Sequence, residues 1–179
     1  MVQPWSVLDS ELIVDDRWIR LRADRCQGTD GTIIDPFYII ESPDWVCVLP
    51  LTPERQVILT TEYGHGARSV LLGLPSGTVE PDDPNPESAA ERELMEETGY
   101  KGRQLVALGS YYANGIKQTN RVHYFLALDS VKLADQSLDE QENIELSRMG
   151  MTELSAGNYF QQSYHMMCLL LAERYLNSV

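Results

Sequence analysis

The feature that most constrains the fold of this chain is the run from Arg92 to Gly99, which carries glutamates at positions 93, 96 and 97. Residues three and four positions apart are neighbours on a helix, so a helix here brings those carboxylates to one side. An ordinary solvated acidic face is the alternative, but such faces interleave Lys at helical spacing. Arg92 is the only basic residue between positions 87 and 100. The pattern therefore predicts an acidic helix face that needs a cation.

The flanking residues predict where this helix begins and ends. Asn85 is a good helix cap, and Pro86 suits the first helical position because its missing N–H would be unpaired there. Gly99 suits the left-handed residue that closes a helix. Leu94 and Ala90 point away from the glutamates and are expected to anchor the helix to a core.

The run resembles the signature of the Nudix hydrolases, Gly-x5-Glu-x7-Arg-Glu-U-x-Glu-Glu-x-Gly-U, where U is a bulky apolar residue. One residue too many separates Gly77 from Arg92, and Asp83 or Pro84 stands where the family has its first Glu. We interpret this difference as a lengthened loop before the helix. The matching residues are Gly77, Arg92, Glu93, Leu94, Glu96, Glu97, Gly99 and, at the last place, Tyr100.

Strand patterns dominate the rest of the chain, which predicts an α+β fold. The first forty residues are expected to be strands, and further strands are predicted at 45–51, 56–63, 69–74, 104–112, 122–128 and 143–149. A packed helix is predicted within 159–177 through Tyr164, Met167, Cys168, Leu171 and Tyr175. The resemblance implies the Nudix fold, a mixed β-sheet between helices in an α/β/α sandwich. It also implies an N-terminal β-rich subdomain for dimerisation at 1–42, before the Nudix hydrolase domain at 43–179.

Composition restricts the partners of the chain. Its formal net charge is −13, from 27 acidic against 14 basic residues, and this argues against nucleic acid, whose phosphates are bound by Lys and Arg. We expect no membrane partner and a cytoplasmic location, because the sequence has neither a leader pattern nor a run of about 18 apolar residues. Cys26, Cys47 and Cys168 form no close-spaced metal pair, and Cys47 and Cys168 are expected to be buried thiols.

The resemblance implies a metal site on the acidic helix. Its ligands would be Glu93, Glu96 and Glu97, with the carbonyl of Ser76 as a further ligand. Mg²⁺ is the expected cofactor because it prefers oxygen ligands, and Mn²⁺ is a possible substitute. Arg92 would orient a neighbouring carboxylate.

A second acidic segment, residues 139–144, is similar to the loop that carries the catalytic Glu in ADP-ribose pyrophosphatases. Its spacing to the following strand makes Glu142 the candidate general base, with Glu140 as the alternative. A solvated acidic loop without a catalytic role is the other interpretation.

The substrate residues are less well defined by the sequence. Gly77 would let the backbone approach the substrate, and Arg68, Lys117 and Arg121 are candidates to bind it, although each could be a solubilising surface charge. Three positions depart from the ADP-ribose pyrophosphatases. Those enzymes tend to have Arg at position 64, an acidic residue at 73 and Pro at 114, where this chain has Gly, Gly and Asn.

The resemblance implies Mg²⁺-dependent hydrolysis of the pyrophosphate bond in a nucleoside diphosphate linked to another group. A small-molecule nucleotide is the expected partner, with ADP-ribose as the first choice and GDP-mannose or another nucleotide sugar as the alternative. A non-catalytic nucleotide-binding regulator on the same fold is an alternative of another class. A homodimer is expected from the N-terminal segment, in which a partner subunit could supply Arg20 or Arg22.

Overall fold

The computed structural model describes residues 1–178, which form two compact units. The first unit contains Met1–Pro43 and Tyr112–Arg121, and the second contains Asp44–Tyr111 and the chain from Val122 onward. Nothing in the sequence pattern indicated that residues 112–121 belong with the N-terminal segment. Val179, the last residue of the predicted Nudix hydrolase domain, lies outside the described residues.

The first unit is built on a three-stranded antiparallel sheet in the order β1-β2-β3. Its strands are β1 (Ser6–Asp15), β2 (Arg20–Gln27) and β3 (Ile33–Glu41). The β1–β2 turn is closed by the Asp16 carboxylate, which accepts hydrogen bonds from the backbone N–H groups of Trp18 and Ile19. Every residue of β1 is exposed.

The second unit is a mixed arrangement, because β4 pairs in parallel with β10 and antiparallel with β7. Its sheets have the strand orders β7-β4-β10-β9, β12-β5-β6 and β11-β8. The strands are β4 (Trp45–Pro50), β5 (Gln56–Gly64), β6 (Ser69–Gly73), β7 (Ser76–Thr78), β8 (Tyr100–Lys101), β9 (Gln104–Tyr112), β10 (Arg121–Leu128), β11 (Val131–Lys132) and β12 (Glu145–Gly150). The helices are α1 (Pro86–Thr98), α2 (Met151–Ala156) and α3 (Ser163–Leu176).

Strand β4 is covered by a helix on each face. Val46 and Val48 pack in a buried cluster with residues of α1, whereas Cys47 and Leu49 pack in a second cluster with residues of α3. Alternate residues of a strand point to opposite faces, so α1 and α3 lie on opposite sides of the sheet. The predicted α/β/α sandwich is confirmed. Cys47 and Cys168 are buried free thiols, as predicted.

Helix α1 has the predicted ends. The Asn85 side chain accepts a hydrogen bond of 2.9 Å from the Ser88 N–H, and Pro86 occupies the first turn. Gly99 closes the helix at φ 73°, and its N–H donates to the Met95 carbonyl at 2.8 Å. A side chain at Gly99 would also collide with the backbone of Ala134, so the position requires glycine for two reasons.

The C-terminal region differs from the sequence prediction in two respects. Helix α2 was not predicted, because its six residues are too few to show a helical period. The packed face of α3 was partly wrong: Met167 is 40% exposed, and the buried residues are His165, Cys168, Leu169 and Ala172. The apolar residues of α3 are distributed around the whole helix, so their spacing did not indicate which face is buried. Among residues 1–178, no helix has the length and apolar character needed to cross a membrane.

Candidate active site

The short strand β7 lies directly against the acidic helix. The backbone N–H of Ser76 donates a 3.1 Å hydrogen bond to the Glu97 carboxylate. A Cβ atom on Gly77 would lie 2.1 Å from the carboxyl carbon of Glu93. Since no side chain fits there, glycine allows the buried carboxylate to approach the backbone, and any larger residue must displace Glu93.

The three glutamates of α1 occupy different environments. Glu93 and Glu97 are buried, at 8% and 6% exposure, whereas the Glu96 side chain is 44% exposed. Ala90 and Leu94 are buried in the core, as predicted. The helix therefore presents a buried carboxylate pair to β7, with the third carboxylate at its edge.

Arg92 connects this carboxylate group to the loop before the helix. Its guanidinium donates two hydrogen bonds to Asp83, at 2.9 and 3.2 Å, and one of 2.9 Å to the Thr78 carbonyl. The same guanidinium donates to Glu93 at 2.9 Å and to Glu96 at 3.1 Å. Asp83 is thus the residue of the lengthened loop that pairs with the helix, and Arg92 lowers the pKa of the Asp83 carboxyl.

Burial makes the anionic forms of the inner carboxylates costly. It raises the pKa of Glu97 to about 9, and the neighbouring Glu93 adds to this shift. It also raises the pKa of Glu93 to about 7, although Arg92 acts in the opposite direction. A bound cation would offset the repulsion between the Glu93 and Glu97 carboxylates. The sequence pattern predicted that these glutamates need a cation.

The site suits a hard cation that keeps part of its water shell. Within residues 1–178, no three carboxylate, thiol or imidazole groups form a ready-made ligand cluster. Glu93 and Glu96 accept hydrogen bonds from Arg92, and Glu97 accepts one from the Ser76 N–H. Mg²⁺ usually binds one or two carboxylates together with waters and substrate phosphates. Two buried carboxylates beside a backbone strand fit that demand.

The loop that carries Glu142 is fixed against the C-terminal end of α1. The side-chain amide of Gln136 donates to the Glu97 carbonyl at 2.7 Å and to the Ile144 carbonyl at 3.1 Å. The Ser137 N–H donates to the Glu96 carbonyl at 2.8 Å. Sequence reasoning missed Gln136, because a Gln in a polar loop gives no signal of these long-range contacts.

Of the two candidate bases, Glu142 faces the carboxylate group more directly. It lines a cavity of about 410 Å³ together with Glu62, and its charge contributes to the raised pKa values of Glu93 and Glu97. Its carboxylate accepts a 3.0 Å hydrogen bond from the Asp139 N–H. Glu140 is exposed and is not among the residues that line this cavity.

Glu62 on β5 is a site residue that sequence reasoning missed. Burial, and then the charge of Glu142, raise its pKa. It also lines a cavity of about 260 Å³ with Ser76 and Gly77, so it lies between the Glu142 loop and β7. The available signal was that Glu62 is the one charged residue of the predicted strand 56–63.

The predicted cationic substrate residues do not line these two cavities. Arg68 is exposed at the tip of the β5–β6 hairpin, with φ of 52°. Lys117 and Arg121 belong to the first unit, where the Lys117 ammonium lies 3.5 Å from the Phe37 ring centre and the Arg121 guanidinium lies over a tyrosine ring. Gly77 is the predicted substrate residue that the second unit places beside the carboxylates.

The structure explains the departure at Gly73. A Cβ atom there would lie 2.6 Å from Nε2 of His165, so the acidic residue of the ADP-ribose pyrophosphatases has no room. His165 is 1% exposed, and its Nδ1 accepts a 3.2 Å hydrogen bond from the Leu74 N–H. Burial lowers its pKa to about 4. This histidine supports the backbone that leads into β7, and sequence reasoning missed it.

The sandwich, the β7–α1 loop and the buried carboxylate pair together define a Nudix-type domain. The NUDIX domain model matches residues 42–170, and the chain belongs to the Nudix family. Residues 5–40 match a second model, the nucleoside diphosphate sugar hydrolase N-terminal domain. The family resemblance and the fold class predicted from the sequence are confirmed.

Curated relatives and a solved structure agree with this membership. The chain is 31% identical over 116 residues to an ADP-ribose pyrophosphatase of Bacillus subtilis (strain 168), which covers 64% of this chain and 62% of the relative. It is 33% identical over 106 residues to an ADP-sugar pyrophosphatase of Mus musculus, covering 54% and 48%. It is 26% identical over 149 residues to a methanol dehydrogenase activator of Bacillus methanolicus, covering 83% and 80%.

The chain thus spans less than two thirds of the length of these two pyrophosphatases. A crystal structure described as an ADP compounds hydrolase superposes with a TM-score of 0.85 and 22% identity, over 99% of this chain and 97% of that one. At this identity the superposition demonstrates the shared fold.

Proposed function

We propose that the chain hydrolyses the pyrophosphate bond of a nucleoside diphosphate linked to another group. The observation that carries this proposal is the buried pair Glu93 and Glu97 against β7, next to a cavity that Glu142 lines. Such a pair needs a cation, and a diphosphate brings the anionic oxygens that share it. The intact carboxylates favour an enzyme over a non-catalytic regulator.

Mg²⁺ is the proposed cofactor, with Mn²⁺ as a substitute. Glu93, Glu96 and Glu97 would hold it, with the Ser76 carbonyl as a further ligand. When bound, such an ion neutralises charge on phosphoryl oxygens and lowers the pKa of a bound water. Arg92 keeps Glu93 and Glu96 in fixed positions through its hydrogen bonds.

Glu142 is the proposed general base. A water oxygen forms a bond to one phosphorus as the bridging P–O bond breaks, and the bridging oxygen leaves with the second phosphate. The Glu142 carboxylate accepts the proton that the water loses. Its Oε2 accepts a hydrogen bond from the Asp139 N–H, and the second oxygen of the carboxylate can take the proton.

ADP-ribose is the substrate that we propose first. Support comes from relatives named ADP-ribose pyrophosphatase and ADP-sugar pyrophosphatase. GDP-mannose or another nucleotide sugar is the alternative, and the match of residues 5–40 to a nucleoside diphosphate sugar hydrolase domain favours that group. Arg68, Lys117 and Arg121 are candidate substrate ligands. We also propose a homodimer, in which the partner subunit could supply Arg20 or Arg22.

A substrate panel tests this function. ADP-ribose, ADP-glucose, GDP-mannose, NADH and diadenosine polyphosphates would be incubated with Mg²⁺ or Mn²⁺, and the release of phosphomonoesters measured. We expect turnover of ADP-ribose and its loss with EDTA. Absence of turnover on the whole panel would exclude the proposal.

Paired variants test the base. Glu142→Gln is expected to lower kcat by roughly 10² to 10⁴, the usual contribution of general base catalysis. Glu140→Gln is the matched control and should keep kcat within about threefold of the wild type. If Glu140→Gln lowers kcat more than Glu142→Gln does, Glu140 is the general base.

A further inference from the structure

The cavity beside β7 is lined by residues that contact the proposed metal ligands. Its volume is about 260 Å³, and its wall includes Ser76, Gly77 and Thr78. Ser76 also donates to the Glu97 carboxylate, and Gly77 packs on Glu93. A group bound in this cavity therefore lies next to the carboxylate pair.

Glu62 gives this cavity an unpaired acceptor. Its carboxylate takes part in no hydrogen bond or ion pair with the rest of the described chain, although it is only partly exposed. An ionised carboxylate accepts hydrogen bonds and donates none. Because burial and the charge of Glu142 both disfavour its anionic form, a ligand that brings two donors would improve its environment.

The opposite side of the cavity supplies a donor. Since Nδ1 of His165 accepts from the Leu74 N–H, the neutral imidazole carries its proton on Nε2. The side-chain nitrogen of Gln162 lies 3.3 Å from that nitrogen. Two donors cannot pair, so we assign the amide oxygen to this position in place of the nitrogen. The NH₂ group of Gln162 is then left for the cavity that this residue lines.

The apolar wall does not suit a flat base held between two rings. Trp45 and Tyr164 line the cavity, and their ring centres are 6.1 Å apart with an angle of 55° between the planes. A base sandwich needs parallel rings with a gap between them. A puckered ring with C–H groups on one face and hydroxyl groups on its edge matches an apolar wall that faces Glu62.

Covalent connectivity points to the same class of ligand. In a nucleotide sugar or ADP-ribose, the group joined to each phosphate through a short linkage is a sugar, and the base lies beyond it. If the diphosphate lies at Ser76 and Gly77, then the adjoining cavity receives that first ring. This step depends on the proposed hydrolysis of a diphosphate at the same site.

We propose that this cavity is a sugar subsite in which the Glu62 carboxylate accepts hydrogen bonds from neighbouring hydroxyl groups of the sugar bonded to the diphosphate. Trp45 and Tyr164 cover the C–H face of the ring, and Gln162 donates to a further oxygen. Glu62 thereby makes the site selective for a hydroxylated ring.

Equilibrium binding tests the subsite without requiring turnover. Ribose 5-phosphate, inorganic phosphate and tetrahydrofurfuryl phosphate, which has the same ring size without hydroxyl groups, would be titrated calorimetrically with Mg²⁺. We expect the wild type to bind ribose 5-phosphate at least about tenfold more tightly than the other two, as hydrogen bonds to a charged group allow. Absence of this preference would overturn the proposal.

Variants test whether Glu62 causes the preference for ribose 5-phosphate. Glu62→Ala should remove the preference for ribose 5-phosphate and leave the affinity for inorganic phosphate within about twofold, because only hydroxyl contacts are lost. Glu145→Ala, an exposed residue outside this cavity, is the matched control and should retain the preference. If Glu62→Ala weakens both ligands equally, the carboxylate serves the metal or phosphate and the sugar subsite is wrong.

The outcomes separate this proposal from the proposed function. Selective sugar-phosphate binding without turnover of any diphosphate would overturn the hydrolytic function and keep the subsite. Turnover with no effect of Glu62→Ala on ribose 5-phosphate binding would overturn the subsite and keep the function.

Discussion

At Glu97, burial and the neighbouring Glu93 both disfavour the anionic form of the carboxylate. Its pKa of about 9 in the folded protein lies above its ordinary value of 4.5. Between these pH values the folded chain holds a proton that the unfolded chain has released. The free energy of unfolding therefore falls as pH rises through this window. Mg²⁺ bound to the anion would reverse part of that loss.

We therefore expect Glu97→Gln to stabilise the metal-free protein at pH 8 and to remove its response to Mg²⁺. Thermal unfolding would be measured in EDTA and in Mg²⁺ between pH 5 and 9, where each 1 kcal/mol gained corresponds to roughly 2–4 °C. Glu91→Gln, an exposed position of the same helix, is the control. An unchanged pH slope in Glu97→Gln would contradict this prediction.

His165 should give a pH dependence of the opposite sign. Its folded pKa of about 4 lies below its ordinary value of 6.5, so the unfolded chain takes up the proton first as the pH falls. Stability is then lost between pH 6.5 and 4, with a slope of at most about 1.4 kcal/mol per pH unit.

The variant His165→Asn isolates this contribution. The Asn side-chain oxygen can accept from the Leu74 N–H as Nδ1 does, but Asn does not titrate. Its smaller volume should lower the free energy of unfolding by about 1–3 kcal/mol at pH 7. Denaturant unfolding at several pH values should show a flatter profile between pH 4 and 6.5 than in the wild type. The exposed His65→Asn is the control, and a parallel profile for His165→Asn would show that another group titrates.

At the scale of elements, the loop between β7 and α1 is held by one ion pair. Arg92 and Asp83 share two hydrogen bonds, and their side chains are 25% and 8% exposed. A partly buried bidentate pair is stronger than a surface pair. Lys cannot replace Arg92, because a single ammonium cannot match its planar set of contacts to Asp83, Glu93 and the Thr78 carbonyl.

A double-mutant cycle with Asp83→Ala and Arg92→Ala should give a coupling free energy of about 1–3 kcal/mol. Asp83→Ala should also make the loop at residues 79–84 more sensitive to proteolysis and lower kcat, since Arg92 loses its anchor. Asp82→Ala, at the exposed neighbouring position, should change neither. Additive effects of the two substitutions would show that the loop is held by other contacts.

Local patterns predicted the elements well, whereas contacts between distant elements escaped prediction. Helix α1 was predicted with its cap and its end, because Asn85, Pro86 and Gly99 act within one turn. Gln136 and His165 could not be identified, since their roles depend on backbone groups brought close only by folding. Such a residue looks like any polar residue of a loop or helix.

In the candidate site, too, local sequence patterns were predictive and contacts between distant elements were not. The family signature located the carboxylates of α1, but the sequence did not indicate that Glu97 is buried and Glu96 is not. Exposure depends on how the helix sits on β7, which the spacing of residues does not determine. The two cavities were not predicted at all, because residues from four elements line the one beside β7.

At the scale of the whole molecule, the N-terminal sheet exposes an apolar edge strand. Within residues 1–178, strand β1 pairs with β2 alone. Its apolar residues are exposed, including Val7 at 60%, Leu12 at 42% and Ile13 at 49%. An exposed apolar edge strand invites pairing with another chain. The homodimer that we propose would cover this strand, and the acidic surface would limit further association.

Light scattering in solution would distinguish the monomer from the homodimer. We expect a mass of about twice 20.3 kDa for the wild type, because covering β1 removes apolar surface from water. Val7→Lys combined with Leu12→Lys should give the monomer mass, since two charges on β1 would be buried without partners. Val131→Lys, at an apolar residue of the second unit that is 48% exposed, should remain dimeric. A monomeric wild type would exclude the homodimer, and a dimeric double variant would move the interface away from β1.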